Sequence, residues 1–345
     1  MSLHDHIFEI MILSSCVLLV AYLSTVVSAS FPPIGAGTAA LGRQHFDVVC
    51  RSIWEGFMLI DTAQAYEWYN EGEAGRAIQD AACYQNTEQH QQLIVVTKVH
   101  PRSYGPQALK DSLIQSSKRL RKLGTREGVK SLDAVLLHAP YCHGNAWKCS
   151  KTQERYTWQN AWQALQDFKF GRDGKFDVSV RWIGVSNFDI GLLQELIRIG
   201  ERQGLEIQGQ GQQPEYLPDL VQNWMDPFHQ DAQVRAFCRE RGVQYMAYSS
   251  FGTQWGGAYA ENPVFGSAEL RQIALEHSTT VANVVLAWLF QLNVTALPRS
   301  VNQEHIAANA ALFLNLEQSS PAVRLSGEDM ERIRALDGTL GNPWD

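Results

Sequence analysis

The sequence lacks a concentration of positive charge. Its 29 Lys and Arg residues are outnumbered by 36 Asp and Glu residues, which gives a net charge of -7. The densest basic cluster, residues 118–122, comes at the end of an amphipathic helical pattern, where positive side chains complement the helix dipole. Proteins that bind nucleic acid need a basic face that neutralises phosphates. The composition therefore argues against a nucleic-acid-binding protein.

Paired cysteine motifs are also missing. No CxxC pair and no histidine at zinc-finger spacing accompany the six cysteines, which are Cys16, Cys50, Cys83, Cys142, Cys149 and Cys238. Cys142 and Cys149 share one apparent loop with His143, so a disulfide or a metal site is conceivable there. Reduced loop thiols are the simpler expectation, because a chain of 345 residues does not need a disulfide framework. We predict no metal.

Charge is absent altogether from Ile10 to Val27. The small residues Val27-Ser28-Ala29 then follow as in a signal peptide, although no Lys or Arg precedes the apolar run. The run's 18 residues also just suffice for a membrane-spanning helix, and a mis-assigned start codon is a third explanation. We treat residues 1–30 as an apolar leader outside the fold, a signal peptide or a membrane anchor. Residues 31–345 then form one catalytic domain, which we expect to face the cytosol.

No GxGxxG motif follows a predicted strand, so the signature of a Rossmann domain is missing. Instead, eight short apolar runs each lead into a polar or turn residue, with helical periodicity between them. The runs end near residues 37, 60, 97, 137, 185, 221, 247 and 297. Eight strand–helix repeats in about 310 residues predict a (β/α)8 TIM barrel, an α/β fold, rather than a doubly wound sheet.

Titratable side chains close three consecutive predicted strands. These are Asp61, Lys98 and His138, and Tyr66 lies in the loop that follows the first strand. The carboxyl ends of barrel strands converge on one mouth. We therefore expect a carboxylate, an amine, an imidazole and a phenol in one site.

Six motifs then occur in order at barrel spacing: DTAQAY, VVTK, LLHAP, GVSNF, MAYSS and LPRSVNQEHIAAN. Together they resemble the aldo-keto reductase superfamily from Ile34 to Asp337. The resemblance implies the eight-stranded barrel and hydride transfer between NADPH and a carbonyl. It places the catalytic tetrad on Asp61, Tyr66, Lys98 and His138.

The residue types of this tetrad suit carbonyl reduction. Hydride addition builds negative charge on the carbonyl oxygen, which a proton donor must neutralise. Tyr66 is the expected donor, and Lys98 is expected to lower its pKa from the ordinary value of about 10. Asp61 would keep Lys98 charged, and His138 would orient the carbonyl. The structural alternative is a buried ion pair beside a core histidine.

The resemblance also implies cofactor contacts. Ser186, Asn187 and Gln222 would hold the nicotinamide carboxamide, with Gln213 as a rival to Gln222, and Tyr248 would stack beneath the ring. The other predicted contacts are Thr38, Asp61, Ser249, Ser250, Arg299, Ser300, His305 and Asn309.

NADPH is the expected cofactor because Arg299 can pair with its 2'-phosphate. His305 stands where relatives usually have an arginine, and imidazole cannot make the two-pronged contact of a guanidinium. Ala308 replaces a common glutamate. We therefore expect weakened discrimination against NADH.

Aromatic residues are predicted to wall the substrate pocket: Trp68, Tyr69 and Trp147. An open pocket of this kind suits a small-molecule aldehyde or ketone, and we expect a monomer. The alternative function is a cofactor-sensing regulatory subunit of a membrane protein with little turnover. Membrane contact would come only through a retained leader.

Overall fold

A computed structural model describes residues 31–126, 130–142, 149, 156–172, 178–202, 216–314, 323–341 and 343. The predicted leader and two named candidates, Gln213 and Trp147, lie outside these residues. The chain divides into a segment Met1–Pro32 and a compact unit Pro33–Asp345.

A sheet of eight parallel strands, in the order β1 to β8, forms the centre of this unit. A parallel bridge between Ile34 and Ala296 joins its two ends. The Gly35 amide also donates to the Ala296 carbonyl at 2.8 Å. The predicted eight-stranded barrel is confirmed. The strands are β1 Ala36–Gly37, β2 Leu59–Asp61, β3 Ile94–Val99, β4 Lys130–Leu137, β5 Val178–Ser186, β6 Leu220–Trp224, β7 Gln244–Tyr248 and β8 Thr295–Leu297.

Helices follow the strands along the chain. They are α1 His45–Trp54, α2 Glu71–Gln79, α3 Thr87–Gln92, α4 Pro106–Arg119, α5 Trp158–Lys169, α6 Ile190–Arg202, α7 Ala232–Arg241, α8 Pro263–Gly266, α9 Ala268–Glu276, α10 Val281–Gln291, α11 Gln303–Leu314 and α12 Gly327–Arg334. Short 3-10 turns occupy Gly42–Gln44, Ala81–Cys83, Pro101–Ser103 and Thr253–Trp255.

The apolar faces of these helices pack against the sheet, as their periodicity predicts. In α6, Leu193 and Leu196 are fully buried, while Leu192 and Ile197 at the edge of the same stripe are half-buried. Close packing also explains Gly75 in α2, because a Cβ there would collide with the carbonyl oxygen of Arg119 at the end of α4. Helix α2 is thereby seated directly against α4, which fixes the loop that precedes it.

The structure pairs four cysteines, which corrects the expectation of reduced thiols. Cys50 in α1 and Cys83 in the turn after α2 form a disulfide with a Cα–Cα separation of 4.7 Å. Cys142 and Cys149 form a second pair. Among the described residues only Cys238 is unpaired, and it is buried. No local pattern in the sequence indicates the first pair, because its partners meet only once α1 and the turn after α2 lie side by side.

None of the described helices is by itself long and apolar enough to span a membrane. The pair α9 and α10 passes such a test jointly, with an angle of 86° between the two helices.

The Cys50–Cys83 disulfide predicts a measurable loss of stability on reduction. Cross-links of this kind typically stabilise the native state by about 2–4 kcal/mol, chiefly by restricting the unfolded chain. In a background with Cys142→Ser and Cys149→Ser, adding Cys50→Ala and Cys83→Ala should lower the free energy of unfolding in urea by that amount.

Dithiothreitol provides the matched control. It should destabilise the background protein to the level of the quadruple variant and leave the quadruple variant unchanged. Equal stability of the background protein with and without reductant would contradict the disulfide.

Candidate active site

A buried ion pair lies at the carboxyl ends of β2 and β3. The Lys98 ammonium donates to both Asp61 carboxylate oxygens, at 2.8 and 2.7 Å, and to the Thr62 carbonyl at 3.0 Å. The two side chains are 1% and 4% exposed. An ammonium has three N–H donors, so these contacts occupy all of them. Burial lowers the pKa of Lys98, and the charge of Asp61 opposes this shift.

Gln222 adds a third strand to this pair. It lies in β6 and is buried, and its side-chain amide donates to Asp61 Oδ1 at 2.8 Å. The structure thus shows Gln222 bound to the carboxylate, and its contact with the cofactor stays a prediction. The Asp61 carboxylate is therefore held from two directions.

His138 lies beside the pair, directly after β4. Its backbone amide donates to the Val99 carbonyl at 3.0 Å, which fixes it next to β3. Burial, followed by the positive charges of Lys98 and its neighbours, lowers the pKa of His138 well below the ordinary value. The imidazole is therefore neutral at neutral pH.

The phenol that contacts these groups belongs to Tyr69. Its ring centroid is 5.1 Å from Lys98 Nζ and 5.7 Å from the centroid of the His138 ring. Tyr66, predicted from the sequence as the proton donor, is 65% exposed and lies under the guanidinium of Arg102 at 4.1 Å. The structure thus brings together Asp61, Lys98 and His138 with Tyr69.

A tight turn explains which tyrosine reaches the mouth. The amides of Trp68 and Tyr69 both donate to the Ala65 carbonyl, at 3.0 and 2.9 Å. Asn70 follows at once and caps α2, accepting the Glu73 amide at 3.1 Å. Tyr69 is thus anchored by the helix start, and this cap is the sequence signal that could have identified it.

A second ion pair fixes the exposed side of the same turn. Arg102 donates to both carboxylate oxygens of Glu67, at 2.8 and 3.0 Å. The two side chains are 15% and 6% exposed. Because the guanidinium also covers the Tyr66 ring, this pair keeps Tyr66 on the outside of the turn.

The pKa of Tyr69 is raised by its surroundings. Burial raises it well above the ordinary value, the charges of Asp61 and Tyr248 add to the shift, and Arg299 opposes it. The sequence predicts that Lys98 lowers the pKa of Tyr66, the expected proton donor. Lys98 instead gives its three N–H groups to Asp61 and Thr62 and meets Tyr69 through the ring face. Tyr69 therefore keeps its proton at neutral pH.

Glu71 holds the start of α2 next to the site, a role that could not be predicted from the sequence. It is buried and accepts the Thr97 hydroxyl at 2.6 Å and the Ser116 hydroxyl at 2.8 Å. Arg119 donates to the same carboxylate at 3.1 Å. Glu71 therefore ties the start of α2 to β3 and α4, two residues after Tyr69.

Asn187 connects three strands at the mouth. Its side-chain amide donates to the His138 carbonyl at 2.8 Å and to the Ser186 hydroxyl at 3.2 Å, and its Oδ1 accepts the Tyr248 hydroxyl at 2.5 Å. It has a φ of 62°, a conformation that asparagine adopts more readily than most residues. The Tyr248 ring is thereby fixed at the end of β7.

The other predicted cofactor residues lie at the ends of β1, β7 and β8. Thr38 is buried, and its hydroxyl donates to the Asp61 carbonyl at 2.9 Å. Ser249 has a φ of 57°, and its hydroxyl accepts a hydrogen bond from the Gln254 side-chain amide at 3.0 Å. The Ser250 hydroxyl is buried and makes no hydrogen bond with a described residue.

A cationic group stands at the start of α11. Arg299 is exposed, makes no ion pair with any carboxylate that the structure describes, and reaches the Ala40 carbonyl at 3.5 Å. The Ser300 hydroxyl accepts the Asn302 amide at 3.0 Å, and His305 is exposed in the first turn. Asn309, one turn further on, is buried.

Two predicted pocket walls can be located. Trp68 is half-buried, and its carbonyl accepts the Ala40 amide at 2.6 Å. Tyr69 is half-buried beside Lys98.

One histidine and two cysteines gather near this mouth. Within the described residues, ligand atoms of His100, Cys142 and Cys149 lie within 4.8 Å of one another. The Arg102 amide donates to His100 Nδ1 at 3.1 Å, so a neutral ring carries its proton on Nε2. Burial, with help from Arg102, lowers the pKa of His100 to about 4. The group thus offers a disulfide and an N–H donor, which is not a three-ligand metal site.

Comparisons agree with this geometry. The Aldo/keto reductase family model matches residues 33–336. The chain is 29% identical to a glyoxal reductase of Bacillus subtilis, covering 86% of this chain and 84% of that protein. It is 27% identical to an NADPH-dependent D-xylose reductase of Meyerozyma guilliermondii, covering 91% and 94%. An aldo-keto reductase of the silkworm Bombyx mori shares the fold with a TM-score of 0.69 and 22% identity, over 90% and 86% of the chains. The chain therefore belongs to the aldo/keto reductase family of NAD(P)H-dependent oxidoreductases.

The Asp61–Lys98 pair predicts strong energetic coupling. Removing one partner of a buried ion pair typically costs about 3–5 kcal/mol, because the other charge stays buried and uncompensated. Asp61→Asn and Lys98→Met should each destabilise the protein by that order in urea unfolding. The double variant should lose much less stability than the sum of the two single losses, since no unpaired charge is left. Additive losses would show that the two groups are not coupled.

Proposed function

We propose that this enzyme reduces small aldehydes and ketones to alcohols with NADPH, and that Tyr69 donates the proton. The observation that carries the proposal is the contact of the Tyr69 ring with both Lys98 and His138. Tyr66 stays the competing candidate, but its exposure and its contact with Arg102 favour Tyr69.

The residues at the mouth suit an anionic dinucleotide. Arg299 is an exposed cation without an acidic partner in the described part of the chain, and it fits the 2'-phosphate of NADPH. The buried Ser250 hydroxyl would gain a hydrogen-bond partner from the cofactor. Tyr248, held by Asn187, presents a fixed aromatic ring to the nicotinamide. NADPH supplies the hydride when it is bound.

Tyr69 and His138 both interact with the carbonyl oxygen of the substrate. Both are neutral at neutral pH, since burial raises the pKa of Tyr69 and lowers that of His138. Each can donate a hydrogen bond to the oxygen without bringing a net charge. The Tyr69 hydroxyl then transfers its proton to the oxygen as negative charge builds there. Lys98 supports the phenolate that is left, because its ammonium lies against the ring.

Substrates are expected to be small and polar. The relatives include a glyoxal reductase, a D-galacturonate reductase and a D-xylose reductase, which act on compact oxygen-rich carbonyls according to their names. Arg102 is already neutralised by Glu67, so this guanidinium is not free to hold a substrate carboxylate. We therefore favour uncharged aldehydes such as glyoxals and aldoses over uronates. The cofactor-sensing alternative draws no support from these relatives, which are named for turnover.

Two tyrosine variants test the assignment of the proton donor. Tyr69→Phe should lower kcat for methylglyoxal reduction by about 10²–10⁴-fold, the typical contribution of a positioned proton donor. Tyr66→Phe should change kcat by less than about threefold, well below that contribution. Both variants should still bind NADPH, as measured by the quenching of tryptophan fluorescence.

Each variant is the matched control of the other, because both remove one hydroxyl and keep the ring. The reverse pattern of losses would restore Tyr66 as the donor. Full activity in both variants would remove the phenol from the mechanism.

Arginine at position 299 should govern the choice between cofactors. Hydrogen bonds to charged groups contribute about 1.5–3 kcal/mol, which corresponds to roughly ten- to hundredfold in Kd. Arg299→Ala should weaken the binding of NADPH by this factor and leave the binding of NADH nearly unchanged. His305→Arg should increase the preference for NADPH. Arg334→Ala, at an exposed arginine in α12, is the control. If Arg299→Ala weakened the binding of both cofactors equally, the 2'-phosphate of NADPH would bind elsewhere.

A further inference from the structure

A sequence motif for N-linked glycosylation lies outside the catalytic site. Asn293-Val294-Thr295 matches the pattern Asn-x-Ser/Thr in which the middle residue is not proline. Asn293 stands in the short turn between α10 and β8. The pattern alone is a weak signal, so its position in the fold decides its value.

The structure presents Asn293 well for modification. Its side chain is exposed, and its hydrogen bonds with other described residues involve only its backbone: the Asn293 amide donates to the Phe290 carbonyl, and the Asn293 carbonyl accepts from the Gln244 side chain. Its φ of 57° marks a turn tip rather than a strand. A glycan on Nδ2 would therefore displace no hydrogen bond to a described residue.

The turn also lies at the opposite end of the barrel from the catalytic groups. Asn293 precedes β8, and its hydrogen-bond partner Gln244 is the first residue of β7. Lys98 and His138 lie at the carboxyl ends of their strands, where barrel active sites are found. A bulky substituent on Asn293 would leave the mouth open.

Two independent features indicate the compartment in which such a modification takes place. Residues 10–27 carry no charge and lead into Val27-Ser28-Ala29, which matches the apolar run and the cleavage site of a signal peptide, although no Lys or Arg precedes them. The disulfide between Cys50 and Cys83 is stable in oxidising compartments such as the secretory route. Cys142 and Cys149 are paired as well.

We infer that the chain, in contrast to the expected cytosol-facing domain, enters the secretory pathway through its leader and carries an N-linked glycan on Asn293. The side-chain Nδ2 forms a bond to the anomeric carbon of a lipid-linked oligosaccharide, the lipid diphosphate leaves, and a proton is released. No group is oxidised or reduced in this step. Thr295 completes the motif during translocation and becomes buried when β8 forms.

The test uses the full chain with its own leader, expressed in cultured eukaryotic cells. An N-glycosidase should increase its electrophoretic mobility, and treatment in H₂¹⁸O should leave labelled aspartate at position 293 in the tryptic peptide 272–299. Asn293→Gly should abolish the mobility change. Glycine suits the left-handed turn, so this variant should fold and retain kcat/KM for methylglyoxal within about twofold, because surface substitutions have small effects.

Thr295 supplies a matched pair of variants. Thr295→Ser keeps the motif and should keep the glycan, whereas Thr295→Val preserves the shape of the buried side chain and should lose it. The inference fails if the chain stays in the cytosol with Asn293 unmodified. It also fails if the chain reaches the lumen and forms the Cys50–Cys83 disulfide but Asn293 carries no glycan.

Discussion

The buried ion pair between Asp61 and Lys98 is the constraint on which the rest of the site depends. Replacing such a pair by apolar side chains is often neutral or stabilising, so its presence at the barrel mouth calls for a reason other than stability. The pair joins the ends of β2 and β3, and Gln222 extends it to β6. It also places a fixed positive charge under the Tyr69 ring while the site as a whole stays close to neutral.

This arrangement suits a reaction in which charge appears only transiently. Lys98 is fully hydrogen-bonded, and His138 and Tyr69 both keep neutral forms at neutral pH. Negative charge that develops on a carbonyl oxygen would therefore meet donors that are already oriented, and little reorganisation would be needed. The Glu71 network holds α2, and with it the turn that carries Tyr69, against β3.

The barrel could be predicted from the sequence because strands buried on both faces leave continuous apolar runs, and the eight runs match β1 to β8. Asp61, Lys98 and His138 were predictable for a related reason, since each directly follows or closes a strand. Tyr69 was not, because a loop residue is positioned by the path of its turn. The spacing from Asp61 in the sequence motif selects Tyr66. In the structure, hydrogen bonds from the Trp68 and Tyr69 amides to the Ala65 carbonyl turn the chain so that Tyr69 lies at the mouth of the barrel. The Cys50–Cys83 disulfide likewise depends on how two helices pack, which local patterns do not encode.

Isotope transfer tests the central claim, catalytic reduction at this mouth, most directly. The full chain would be incubated with NADPH deuterated at the transferable position of C4 and with methylglyoxal, and the product analysed by mass spectrometry and NMR. The account predicts an alcohol with one deuterium on the former carbonyl carbon, formed over many turnovers. Tight binding of the deuterated cofactor without transfer to this or any other small aldehyde would contradict it.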